Sequence, residues 1–222
     1  MVLEQLIDDG DRAYASGQYE DAVAAFRRIS REFPDADIRL RLGEALVSAG
    51  NHQEGLQLLR SRIRDRPSTG AFVIYAWSLD HIGDRSSAIE AAQMAVQYDD
   101  GFSEAHTMLG SLLVDTEREN AVWHFRRALA LDPEDYYAME RLGMLLGGAD
   151  ETAGEAVTLL ISVADKYPEN EDALAYLANA LWRTGAIRDA HDAYQRLLQR
   201  DPNEPMYHKW LADFEAATGF RG

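Results

Sequence analysis

The chain has 222 residues and a formal charge of −16, from 38 acidic and 22 basic side chains, so it offers no basic stripe for a phosphate backbone and nucleic acid is disfavoured as a partner. Cysteine is absent, which excludes disulfides, thiolate metal sites and cysteine nucleophiles together. The opening MVLEQLIDDGDRAY lacks the basic and apolar regions of a signal peptide, and no apolar run approaches the roughly 20 residues of a spanning helix. No membrane insertion is expected. A cytoplasmic location is the default, and a periplasmic or secreted one would need a targeting segment that has been removed.

Small residues recur along the chain at nearly constant steps. Gly10, Gly43, Ala76, Gly110, Gly143, Ala178 and Ala212 form one evenly spaced series. A second series follows about a dozen positions later, at Ala22, Gly55, Ala88, Ala121, Ala156 and Ala190. A third is Pro34, Pro67, Pro133, Pro168 and Pro202, five of the six prolines, with Asp100 where another would fall. Three series with one step identify a repeat.

Each unit reads as two helices. Leu174, Leu177 and Leu181 share one face of a first helix, which Gly185 ends as a left-handed residue. Ala190, Tyr194 and Leu197 form the inward stripe of a second, which ends at Asp201-Pro202 because the residue before proline is pushed out of the α region. Gly or Ala in the first series lets the paired helix approach, the second series receives it, and Phe125, Leu142 and Leu146 supply the bulk between. Helices this short are marginal alone, so their stability must come from burying apolar stripes on both neighbours.

The pattern of Leu109-Gly110, Leu113, Ala121, Phe125, Ala128 and Pro133, repeated as Gly10, Gly17, Tyr19, Ala22, Phe26 and Pro34, resembles the tetratricopeptide repeat. The resemblance implies an all-α, right-handed superhelical solenoid of six helix-turn-helix repeats, near 3–35, 36–68, 69–102, 103–135, 136–170 and 171–204. Residues 205–217, with Trp210, Leu211, Ala212 and Phe214, resemble the extra capping helix of such arrays, and 218–222 form a short tail. Three departures stand out: Asp99-Asp100-Gly101 replaces a proline seam, repeat four lacks its turn glycine and is one residue short, and repeat five is one residue long at Gly147-Gly148. Length drift in a surface turn accounts for the last two; a local change in pitch is the alternative.

No catalytic signature is present: no glycine-rich phosphate loop, no metalloprotease-like His-Glu pair at helical spacing, no nucleophile elbow. The six histidines do not cluster at ligand spacing, so neither a metal nor a cofactor is expected. His124, between Trp123 and Phe125, reads as structural or solvent-exposed, and the acids Asp115, Glu117 and Glu119 as a solvated turn.

The resemblance implies that function lies on the concave groove, at positions one and four after the first-series small residue and three before it. These are Ile7, Asp11 and Tyr14; Leu40, Glu44 and Val47; Val73, Trp77 and Asp80; Thr107, Ser111 and Val114; Glu140, Met144 and Gly147; and Ala175, Asn179 and Trp182. Lys209 and Asp213 continue the surface on the capping helix. Some family members clamp a peptide carboxylate with Lys and Asn; here the corresponding positions hold Ile7, Asp11, Arg41, Gly70 and Ile74, so only Arg41 is basic and a chaperone-tail adaptor is disfavoured. The candidate groove instead combines Asp8, Asp11, Glu44 and Asp80 with Trp77, Met144, Tyr176 and Trp182. That set fits a peptide or protein segment basic at one end and apolar in its middle, unless Trp77 and Trp182 pack sideways as core. A self-assembling module using its terminal helices, and an enzyme with a site built across repeats, are the competing readings.

Overall fold

The computed structural model describes residues 2–221, and among these the regular structure is entirely helical, in thirteen α-helices. They divide into two compact units, Met1–Glu117 and Arg118–Gly222. The first holds α1 (Leu3–Ala15), α2 (Tyr19–Glu32), α3 (Arg39–Ser48), α4 (His52–Asp65), α5 (Thr69–His81), α6 (Arg85–Tyr98) and α7 (Ser103–Leu113). The second holds α8 (Arg118–Leu131), α9 (Tyr136–Leu146), α10 (Ala153–Lys166), α11 (Glu171–Arg183), α12 (Ile187–Arg200) and α13 (Pro205–Thr218). No helix among the described residues is long and apolar enough to cross a membrane.

In the first unit α1 packs on α2, α3 on α4 and α5 on α6, and the odd-numbered α3, α5 and α7 also lie side by side. In the second, α9 packs on α10 and α11 on α12, with α9 beside α11 and α13 against α12.

The expected close approach inside a hairpin is present. A methyl group on Gly10 would lie 2.5 Å from the ring of Phe26, and one on Gly143 would lie 2.6 Å from Leu160. Gly43 and Gly55 face each other across α3 and α4, where a methyl group on Gly55 would come within 2.6 Å of the Gly43 carbonyl oxygen. Larger side chains cannot occupy these seats without moving a helix. Ala76 and Ala178, and Ala22, Ala88, Ala121, Ala156 and Ala190 in the second series, are completely buried. Ala212 departs from the expectation and is exposed: α13 turns Leu211 and Phe214 inward, and no later helix among the described residues packs on its other side.

The turns follow local chemistry. Gly17, Gly50, Gly83 and Gly185 have φ of 73°, 83°, 84° and 78°, the left-handed geometry that closes a helix ahead of a tight turn. The α7–α8 turn has no glycine; there the backbone N–H groups of Thr116 and Glu117 both donate to the Leu113 carbonyl. The longer α9–α10 turn is held by Thr152, whose hydroxyl donates to the Leu146 carbonyl at 2.6 Å. At the seams, Phe33, Arg66 and Tyr167 leave the helical region just before a proline, with ψ between 70° and 78°. Asp99 does the same without one, at ψ 105°, and its own carboxylate accepts from the Gly101 N–H at 2.9 Å. Asp132 and Asp201 make the same Asx turn beside Pro133 and Pro202, so at Asp99 this turn closes the seam without the proline. Ser68, Asp135 and Asn170 then cap α5, α9 and α11 through side-chain oxygens.

Candidate functional site

The odd-numbered helices supply the residues expected to face a ligand. In the first unit the acidic set is largely engaged within the protein. Asp8 is exposed, but Asp11 accepts from Arg41 Nε at 2.9 Å, across α1 and α3. Asp80 accepts from Arg85 Nη1 at 3.1 Å. Glu44 is half-buried beside Tyr14; burial pushes its carboxyl above the usual range, and the Tyr14 hydroxyl and Arg41 only partly offset this. Burial next to Glu44 raises the Tyr14 hydroxyl to about 12, so it stays protonated and lies 3.1 Å from Ser48 Oγ. Asp11, Tyr14, Arg41, Glu44 and Ser48 thus form one polar patch on α1 and α3.

Trp77 occupies on α5 the repeat position that Glu44 holds on α3. It is half-buried, with its indole stacked on the His81 ring of the same helix at a centroid distance of 5.0 Å and an interplanar angle of 17°. Ser111, on α7, donates its hydroxyl back to the Thr107 carbonyl. Arg85, at the start of α6, does more than pair with Asp80: its guanidinium also donates to the Leu112 carbonyl at 2.8 Å and the Ser111 carbonyl at 3.1 Å, binding the C-terminal end of α7. In the second unit Arg118, one repeat on, donates likewise to the Leu145 carbonyl at the end of α9.

On α9 and α11, Glu140 accepts from the Asn170 side-chain amide, so the residue that caps α11 also fixes this carboxylate. Met144 and Tyr176 are half-buried, and Asn179 is exposed. Trp182 is half-buried and meets Phe214 of α13 edge-on at 5.5 Å, in a cluster that includes Tyr194 and His191. Val47 and Gly147, expected on the ligand-facing surface, are buried instead: Val47 packs over Gly55, and Gly147 lies against Ala180 and Ala156. The structure therefore brings Asp11, Arg41 and Glu44 together in one patch, ties Trp182 to the α13 core, and leaves Trp77 as a half-exposed aromatic of the first unit.

The partners Arg41, Arg85 and Asn170 neutralise or orient acids that look available in sequence. Arg41 and Asn170 lie nearly a full repeat step along the chain from the acids they meet, so only the periodicity could have flagged them. Among the described residues no group of three His, Asp or Glu side chains could hold a metal ion. Exposed large apolar side chains include Met94 and Tyr98 on α6 and Ile161 on α10, all on even-numbered helices.

Two family models, each described as tetratricopeptide repeat, match residues 7–68 and 149–214. The Caenorhabditis elegans cell division cycle protein 27 homolog is 37% identical over 90 residues, which is 40% of this chain and 11% of that protein, so the chain spans only a small part of this relative. Among solved structures, the APC/C hetero-tetramer Cut9–Hcn1 superposes with a TM-score of 0.76 at 15% identity, covering 94% of this chain and 42% of that one. YrrB, described as a TPR protein with an unusual peptide-binding site, gives 0.65 at 18% identity over 83% of this chain and 96% of its own. MamA from Desulfovibrio magneticus RS-1 gives 0.62 at 20% identity over 68% and 85%. At these identities the structural likeness is one of fold, and it agrees with the small-residue seats, the glycine turns and the proline seams. The chain belongs to the tetratricopeptide repeat family.

Proposed function

We propose that the protein is a non-catalytic interaction scaffold that holds a peptide or protein segment on the faces of its odd-numbered helices. The observation that carries this reading is Trp77. It offers a large, half-exposed aromatic surface, and its ring stacks on a histidine of its own helix. An indole in that position supplies contact area at little conformational cost. The exposed carboxylate of Asp8 on α1 favours a ligand with a basic group at one end, whereas Asp80 is already paired with Arg85. Glu140, Met144, Tyr176 and Asn179 offer a comparable polar-and-apolar surface in the second unit. MamA, YrrB and the Cut9–Hcn1 assembly share the fold, and YrrB is described as having a peptide-binding site.

The test is selection of binders from a displayed peptide library, followed by titration of one selected peptide against the wild-type chain and Trp77→Ala. The reading expects the chain to stay folded by circular dichroism while affinity drops at least about tenfold, the loss expected of an aromatic anchor. A loss of several kcal/mol in stability would instead make Trp77 core and remove the main support. Self-assembly through α13 is the second reading, favoured by exposed Met206 and Ala212 on that helix; a constant mass by light scattering across micromolar to millimolar protein would end it.

A further inference from the structure

Ion pairs join even-numbered helices at matching repeat positions in two places, and at a third the arginine is kept while its carboxylate is replaced. Arg27 of α2 reaches Glu54 of α4 at 2.7 Å, and Arg126 of α8 reaches Glu155 of α10 at 2.7 Å. Arg60 of α4 stands one repeat step after Arg27, and the same step from Glu54 leads to Ser87 of α6. The serine hydroxyl cannot neutralise the guanidinium, and Arg60 turns aside, donating Nε–H to the Tyr75 hydroxyl at 2.5 Å with its charge 5.7 Å from the Tyr75 ring centre.

Where the carboxylate is missing, a cleft of about 360 Å³ opens between α4, α5 and α6. Its floor is apolar: Ile63, Phe72, Ala91 and Met94, the last 46% exposed. Arg64, one turn after Arg60, lies on the same rim with 79% of its side chain accessible, and its nearest acid, Asp65 at 3.6 Å, is shared with Arg39. Glu90 is the one carboxylate among the lining residues, against two arginines. The lining thus carries two arginines against one carboxylate over an apolar floor, and Asp84, which accepts from the Ser87 N–H at 3.2 Å, is the further acid that Arg60 feels from outside it.

We infer that this cleft is a second docking site, separate from the odd-helix face, for an acidic partner segment that inserts an aromatic or aliphatic side chain between flanking carboxylates. The apolar anchor would cover Phe72 and Met94, and a carboxylate would take the place at Arg60 that Glu54 takes at Arg27. Arginine suits this role because its fork donates to a carboxylate while its plane stays against the tyrosine ring. Charge complementarity selects the occupant: a basic segment would meet two like charges at the rim.

The test is fluorescence anisotropy with a pool of labelled synthetic peptides, each carrying one Phe or Leu between pairs of Asp or Glu. Controls replace the acids by Lys, or the apolar residue by Gly. At least one acidic peptide should saturate below about 1 mM, the range of a weak specific contact. Its affinity should fall about tenfold in Arg60→Glu/Arg64→Glu and in Ser87→Glu, as expected for reversing or occupying two exposed charges. Met94→Asp should weaken it similarly, and binding should decline with added salt. Trp77→Ala should leave it unchanged, which separates this site from the odd-helix face. All the substituted side chains except Trp77 and Ser87 are exposed, and unchanged circular dichroism and thermal midpoint will show that each variant is folded. The inference is overturned if no acidic peptide saturates, if Lys peptides bind as well, or if the arginine double variant binds normally. It is equally overturned if the chain dimerises and the double variant abolishes the dimer, since the occupant is then a second copy.

Discussion

The α3/α4 and α5/α6 hairpins occupy the same place in successive repeats yet solve the same packing problem with different volumes. In α3/α4 two glycines face each other and Leu59 fills the seat over Gly43, 2.8 Å from where a methyl group would be. In α5/α6 both small positions are alanine, and the residue one repeat after Leu59 is Ala92, itself completely buried. One extra methyl group on each helix is offset by the three side-chain carbons missing at Ala92 of α6. Between these two hairpins it is the volume, rather than the residue type at any one position, that is kept. The same two hairpins differ on their outward sides: Glu44 against Trp77, and Glu54 against Ser87.

The most damaging way to break this comparison is Gly55→Ala. The added methyl group meets backbone, the Gly43 oxygen at 2.6 Å and the Val47 nitrogen at 3.0 Å, so no rotamer change relieves it. A loss of about 3 kcal/mol, the upper part of the range for overpacking, is expected by urea unfolding. Ala88→Gly, its counterpart in α6, should cost only about 1 kcal/mol through helix propensity.

The next test exchanges the two solutions. Ala92→Leu alone should destabilise by about 1–3 kcal/mol because the Ala76 seat is already filled. Adding Ala76→Gly should recover most of that loss in a double-mutant cycle, up to the roughly 1 kcal/mol that glycine costs within a helix. Strict additivity of the two changes would refute volume compensation.

A smaller effect concerns Glu44. Because burial raises its carboxyl in the folded state, the native protein holds this proton more tightly than the unfolded chain does. Its contribution is therefore fully present below the ordinary glutamate range and is lost as pH rises through the raised folded value. Asp37 works in the opposite sense: the Arg39 hydrogen bond holds its carboxyl low, so its contribution is present above the ordinary aspartate range and disappears as pH falls through the lowered folded value. Glu44→Gln should raise stability at pH 7 and flatten the mildly acidic limb of the stability–pH curve. Asp37→Asn should flatten the more acidic limb instead.

The smallest expected change is among the ion pairs of the even-numbered helices. Arg27→Ala removes a pair whose two side chains are about half exposed, so a few tenths of a kcal/mol is the expected cost. Arg60→Ala, which has no equivalent carboxylate to lose, should cost no more, and a larger loss would point to its stacking on Tyr75.

Much of the fold is legible in the sequence because its constraints are local and recur. A glycine facing Phe26 or Leu160, a left-handed glycine shortly before the next helix, and a residue forced out of the helix by proline each leave a mark at a fixed step. The missing proline after Asp99 is legible as a departure, but the Asx turn there is not, since its carboxylate's partner is a backbone N–H. The candidate surface is less legible. Asp11 and Glu140 look available until Arg41 and Asn170 are placed beside them, and those partners sit nearly a repeat further along. Trp182 cannot be assigned to the α13 cluster from its own helix, because Phe214 lies on α13, beyond the next helix in the chain. The cleft at Arg60 lies largely on second helices, away from the groove that the family resemblance implies, although the change from Glu54 to Ser87 stands in plain view.

The arginines that open α6 and α8 have a consequence for how the array comes apart. Arg85 ties the beginning of one helix to the last carbonyls of the helix that follows it in the next repeat, and Arg118 does the same one step later. A terminal repeat can ordinarily fray by itself, since a solenoid's cooperativity extends only as far as its nearest-neighbour couplings. With these two clips in place, releasing the end of α7 or α9 strands a guanidinium as well as a helix terminus. Amide hydrogens near Leu112 and Leu145 should therefore exchange in step with α6 and α8 respectively, and slow exchange should persist there after α1 and α13 have begun to open.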